Sequence, residues 1–188
     1  VVRRRLFGTC NDTAARDAVC EAYFKMYREN PQDFPIECRD EEYLDRMKSC
    51  YPIHPEVFDR LYDDWATLER FQRTRGVLRL MAAVINDLWS NGNDDTLILP
   101  STLPINNPMV KEELLRYLAS DWSPIVDSEV DGSKSTPFRL DQADVRFGQM
   151  SAARKVSRTI FFGSAPGTQI SNRGIEKSHI MLGCMEPG

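Results

Sequence analysis

The strongest apolar periodicity in the chain runs from Phe71 to Trp89. Val77, Leu78, Leu80, Met81, Val84, Ile85, Leu88 and Trp89 cover most of a helix circumference. Gln72, Arg75, Arg79 and Asn86 remain as a narrow polar stripe, because residues three, four or seven apart stack on one face. The pattern predicts a helix buried on several sides with one basic strip exposed. Arg70, Arg73, Arg75 and Arg79 crowd its start. With Thr74 as the cap and Arg75 as the first helical residue, Gly76 and the free N–H groups of the first turn would lie beside the guanidiniums, which suits an anion or a phosphate. The competing expectation is that these arginines pair with Asp63, Asp64 or Glu69.

Other segments carry the same period. Asn11-Asp12-Thr13 is a helix start before Ala14 to Tyr27, where Val19, Tyr23 and Met26 repeat with Ala15 and Ala22 in phase. Pro31 and Pro35 mark a loop, and Asp40-Glu41-Glu42 places acids in the first turn of a helix with Tyr43, Leu44 and Met47 inward. Pro55 suits a first helical position, with His54 at the cap and Phe58, Leu61, Tyr62, Trp65 and Leu68 on one side. Residues 96–99 are expected as a short strand, 100–108 as a proline-rich connector, and 110–118 as a short helix. Residues 133–137 are expected to be mobile. A helix over 141–158, continuous or broken at Gly148, and a last helix over 170–183 complete the reading. The expected fold is mainly α: a helical bundle over 1–122, and a linker with a second, smaller helical part over 123–188.

Composition narrows the function classes. A chain of 188 residues with net charge −4 has no global nucleic-acid signature, so any such contact must come from a local basic patch. No apolar run reaches the roughly 20 residues needed to span a bilayer, and Val-Val-Arg-Arg-Arg lacks the order of a signal peptide, so the expected place is the cytoplasm, without membrane partners. The absent initiator methionine and the Glu-Pro-Gly end are expected of a piece of a longer protein. Five cysteines at wide spacing, without a Cys-x-x-Cys pair, predict free thiols and no metal site.

Candidate chemistry is sparse. His54 has no second histidine or cysteine nearby and reads as a local structural residue. Asp127, Glu129, Asp131 and Gly132 match half of a calcium loop, but Phe138 stands where the bidentate glutamate belongs, so the segment reads as an acidic turn. Arg154, Lys155, Arg158, Arg173 and Lys177, on a helix, a turn and a helix, read either as winged-helix-like DNA contacts or as a solvated basic face. Phosphate-binding loops, zinc-hydrolase motifs and nucleophile elbows are missing, so no catalytic residue is assigned and this chain is not expected to catalyse a reaction alone.

Ser49-Cys-Tyr-Pro-Ile-His-Pro-Glu56 and the segment Phe71 to Ala82 resemble the prokaryotic family of domain of unknown function 499, whose members look like ATPases of the AAA+ superfamily. Val2 to Phe7 and Arg158 to Ser164 extend the resemblance over most of the chain. It implies a helical lid that follows a nucleotide-binding core. Gly76-Val-Leu-Arg79 is similar to the sensor-two motif of such lids, which would make Arg79 a γ-phosphate sensor and Arg75 a second phosphate contact, with Gly76 permitting close approach. ATP and magnesium would belong to the full-length parent, on a P-loop core upstream, and no cofactor is expected on this piece. The resemblance also implies DNA or DNA-modifying proteins as partners and a role in phage defence. The alternative is a DNA-binding or protein-interaction helical module without a nucleotide role.

Overall fold

A computed structural model describes residues 2–118, 121–167 and 174–188. These residues are mainly helical and form α1 (Val2–Leu6), α2 (Thr13–Glu29), α3 (Glu41–Cys50), α4 (Pro55–Asp59), α5 (Arg73–Ser90) and α6 (Pro108–Leu115). α7 (Trp122–Ile125), α8 (Thr136–Ala143), α9 (Val145–Gly148), α10 (Ala152–Ser164) and α11 (Lys177–Cys184) follow. The short strand expected over 96–99 is reduced to one parallel bridge, in which the Ile98 N–H donates to the Pro52 carbonyl and the His54 N–H to the Ile98 carbonyl.

Local chemistry sets several helix starts. Asp12 caps α2, its carboxylate accepting from the Ala15 N–H at 2.8 Å. Asn107 caps α6, and Ser135 caps α8 with Pro137 in its first turn. Residues 133–137, expected to be mobile, thus include a buried cap, Ser135. α4 continues through a π-helical turn (Arg60–Asp64) and a 3-10 turn (Trp65–Thr67). The wider turn shifts the helical phase, so Leu61 and Trp65 point inward while Tyr62, expected beside them, is exposed.

Two apolar clusters hold the chain. One joins Ile53, Val57, Leu61, Trp65 and Phe71 to the inner face of α5 (Val77, Leu80, Met81, Val84), to Val126 and Val130, and to Phe161 and Phe162 of α10. Residues on both sides of the expected division at 122/123 therefore share one core. Trp65 lies at its centre: its indole N–H donates to the Phe162 carbonyl at 2.8 Å, and its ring stacks on Phe162 with 5.7 Å between centroids. The second cluster gathers Cys20, Tyr23, Phe24 and Tyr27 of α2 with Phe34, Tyr43, Met47 and Leu182. Of the expected face of α2, Tyr23 is buried and Val19 and Met26 pack against this cluster, while Ala15 and Ala22 are exposed, because Cys20, Phe24 and Tyr27 carry larger apolar groups and burying them removes more surface from water.

The helix expected over 141–158 is broken twice, at Asp144 between α8 and α9 and after Gly148. A Cβ there would stand 2.4 Å from the Asp141 carbonyl oxygen, and Ser151 takes a left-handed φ of 52° before α10 begins. Asp141, from α8, then caps α10 at a distance by accepting from the Ala153 N–H at 2.9 Å.

Candidate functional site

Gln72, Arg75, Arg79, Ala82, Asn86 and Trp89 form the exposed stripe of α5, with Trp89 88% exposed rather than inside. Arg79 projects from it beside a groove of about 360 Å³ that also holds Asn86, Met109, Glu112 and Glu113. Its guanidinium donates to Glu113 at 2.7 Å, and the same carboxylate oxygen accepts from Arg116 at 3.1 Å. Thr74 is the second residue of α5 and not its cap; Gln72 holds the cap position. The Arg75 and Gly76 N–H groups bond to the Gln72 carbonyl at 2.8 and 3.3 Å, so they are not open to an anion. Gly76 is buried, and a Cβ there would meet the Phe71 ring at 3.0 Å, so its missing side chain makes room for an aromatic ring. Arg79 does not take Asp63, Asp64 or Glu69, the partners of the competing expectation: it reaches forward to Glu113 of α6, and Asp64 takes Arg60.

The cations of the α10 and α11 region are engaged within the chain. Arg158 donates to Asp131 at 2.8 Å and to the Ser101 carbonyl, and Asp131 is buried and also accepts from the Asn106 N–H. Arg154 pairs with buried Asp141 at 3.1 Å and stacks over Phe138. Lys155 pairs with Glu186, and Lys177 reaches Asp33 at 3.5 Å. Arg173 lies outside the described residues. A phosphate approaching α10 would have to displace carboxylates that are already desolvated, which favours the existing pairs.

A polar cleft of about 350 Å³ lies between α3, α4 and α11. Glu56, only 2% exposed, places one oxygen 3.1 Å from Arg60 Nε and 3.1 Å from His179 Nδ1. Arg60 also pairs with Asp64 at 3.0 Å, and Arg46 pairs with Asp59 on the cleft wall. Donation of a hydrogen bond to the Glu56 carboxylate raises the His179 pKa above its ordinary value. His54 stands two residues before Glu56, at the α4 cap, and is fully buried. Its Nδ1 accepts from the Glu56 N–H at 3.2 Å, so its proton sits on Nε2, which donates to the Tyr27 hydroxyl at 3.0 Å. Burial pushes its pKa down to about 3 and keeps the ring neutral. His54 is thus a structural acceptor, and the Glu56, Arg60 and His179 cluster clasps α11 to α4. Among the described residues, no group of three or more His, Cys, Asp or Glu side chains could hold a metal ion, and no helix is long and apolar enough to cross a membrane.

Residues 1–175 match the family model described as the DUF499 second domain. The chain belongs to the DUF499 family. Neither the curated proteins nor the solved structures yield a match. Both motifs that carried the resemblance have defined places in this DUF499 domain. Tyr51 to Pro55 supplies the α4 cap and the bridge to Ile98, and Thr74 to Arg79 opens the central helix. Sequence reasoning missed Glu56, Arg60 and His179 as a unit, since Glu56 and His179 are 123 residues apart. The available signal was local: Glu56 follows a Pro at the first helical turn, where an acid is favoured, and Arg60 is four residues on.

Proposed function

We propose that this DUF499 second domain is the helical, nucleotide-sensing part of an ATP-hydrolysing protein, with Arg79 as the residue that reaches the γ-phosphate. Hydrolysis itself would belong to a P-loop core in the parent protein, which would hold ATP and magnesium. The observation that carries the reading is the way Arg79 is held. It is 44% exposed on the polar stripe of α5, and its partner Glu113, 14% exposed, is shared with Arg116. If Arg79 turned to a phosphate, Glu113 would keep one guanidinium, so the transfer would not leave a carboxylate alone. A guanidinium is suited to that task because it is permanently charged and presents a planar fork of donors to phosphate oxygens. Arg75, exposed one turn earlier on the same stripe, is the candidate second contact. Gly76 and Thr74 act in this reading by shaping the start of α5. The phage-defence side of the expectation rests on the family resemblance alone.

The test is Arg79→Ala in the full-length protein that carries this domain. ATP turnover is expected to fall at least about tenfold, with little change in the melting temperature, since the pair it breaks is half exposed. Glu113→Gln is expected to keep turnover close to the parent value. Unchanged turnover in Arg79→Ala would remove the sensor assignment.

A further inference from the structure

A third concavity, sharing no residue with the Arg79 groove or the Glu56 cleft, lies where α1, the start of α2 and the end of α3 converge. Arg3 and Arg4 of α1, Arg16 of α2 and Lys48 of α3 line a cavity of about 480 Å³, and among the described residues no carboxylate lines it. The hydroxyls of Thr9, Thr13 and Ser49 complete the polar wall. Such a gathering of cations, in a chain of net charge −4, raises the local potential around the cavity.

The cations are held in place without being consumed. Arg3 donates its Nε to the Tyr51 carbonyl at 3.1 Å, a neutral acceptor that orients the guanidinium and leaves its charge uncompensated. Arg16 bonds Asp17 through Nε and one terminal nitrogen, and Lys48 sits 3.1 Å from Glu21. Asp17 and Glu21 are one turn apart on α2, outside the lining, and a guanidinium or ammonium with one such partner retains donors for another. Arg4 is exposed at the edge. The helix dipole is not needed, because Asp12 already accepts from the first turn of α2.

Three guanidiniums and an ammonium, interleaved with hydroxyls, match the oxygens of a phosphate chain. The volume lies within the roughly 300–1,000 Å³ range of small-molecule sites and exceeds what one small ion fills. We infer that this cavity binds the phosphate groups of a small phosphorylated ligand of nucleotide size. The site is independent of the Arg79 reading and stands or falls separately.

Calorimetric titration of this chain with pyrophosphate, with ADP and with a single-stranded oligonucleotide tests it. Pyrophosphate and ADP are expected to bind with Kd below about 1 mM at ~50 mM salt, to compete with each other, and to weaken as salt rises. Arg4→Glu, at an exposed position, and the double substitution Arg4→Ala with Arg16→Ala are each expected to weaken binding roughly tenfold or more while the melting temperature holds. Arg79→Ala is expected to leave it unchanged, which separates the two sites. The inference is overturned if neither pyrophosphate nor ADP binds, if the Arg4 and Arg16 substitutions leave binding intact, or if only the oligonucleotide binds and pyrophosphate does not displace it.

Discussion

At the scale of single residues, the two histidines report opposite environments. His54 is enclosed and neutral, with a pKa pushed down to about 3, whereas the unfolded chain would titrate near 6.5. The unfolded state therefore binds the extra proton between those values, and stability is lost as pH falls through that window, by on the order of 5 kcal/mol if the fold survived to its lower end. His179 has the reverse sign. Its pKa is raised by Glu56, so its contribution is fully present below 6.5 and is lost as pH climbs through the raised folded value. Because the chain holds two histidines, proton NMR can follow both. One ring is expected not to titrate between about pH 5 and 8, and the other to titrate with a midpoint above 6.5. His54→Asn keeps a cap acceptor and removes the titrating ring, so it is expected to cost about 1 kcal/mol at neutral pH and to flatten the acid side of the stability curve. A His54 resonance that shifts near pH 6.5 would show the ring to be solvated.

At the scale of elements, backbone approach decides where helices stop. Gly148→Ala puts a methyl group against the Asp141 carbonyl of α8, a backbone atom that cannot rotate away, and is expected to destabilise by about 1–3 kcal/mol in urea unfolding. Gly8→Ala, where a Cβ meets nothing within 4 Å, serves as the comparison and is expected to be near neutral. Equal effects at both glycines would disprove the steric account. Element starts were largely legible in the sequence, as at Asp12 and Pro55, because capping chemistry is confined to a few neighbouring residues. The exposed stripe of α5 was legible for the same reason, since its period is written locally. The full width of the face that α2 buries was legible only in part: Val19, Tyr23 and Met26 were marked by their period, but only the partners Phe34, Tyr43 and Met47 select Phe24 and Tyr27 over the alanines. The partners of Arg154, Arg158 and His179, which come from distant segments, were not legible: each guanidinium or ring could be seen, but not the carboxylate waiting for it.

At the scale of the whole molecule, the apolar cluster around Trp65 ties the first two thirds of the chain to its last third. A fragment of residues 1–122 would leave Trp65 without Phe161 and Phe162 and would expose Val57, Leu61 and the inner face of α5. It is expected to bind a hydrophobic dye and to melt without a cooperative transition, with tryptophan emission shifted towards that of exposed indole. A sharp sigmoidal transition in that fragment would instead make 1–122 a self-sufficient domain. The paired cations give the chain a related character: most of the charge in the α10 and α11 region works as internal fastening, whereas Arg3, Arg4, Arg16 and Lys48 gather around the α1 to α3 cavity.

The bond from the Trp65 indole to the Phe162 carbonyl also sets a clock. The two residues are 97 positions apart, and a ribosome adds roughly 5–20 residues each second, so the central tryptophan waits about 5–20 s during synthesis before its partner emerges. Over that interval the apolar face around Trp65 is assembled piece by piece without its α10 cover, and in the nascent protein it stays open to a neighbour until Phe161 and Phe162 arrive.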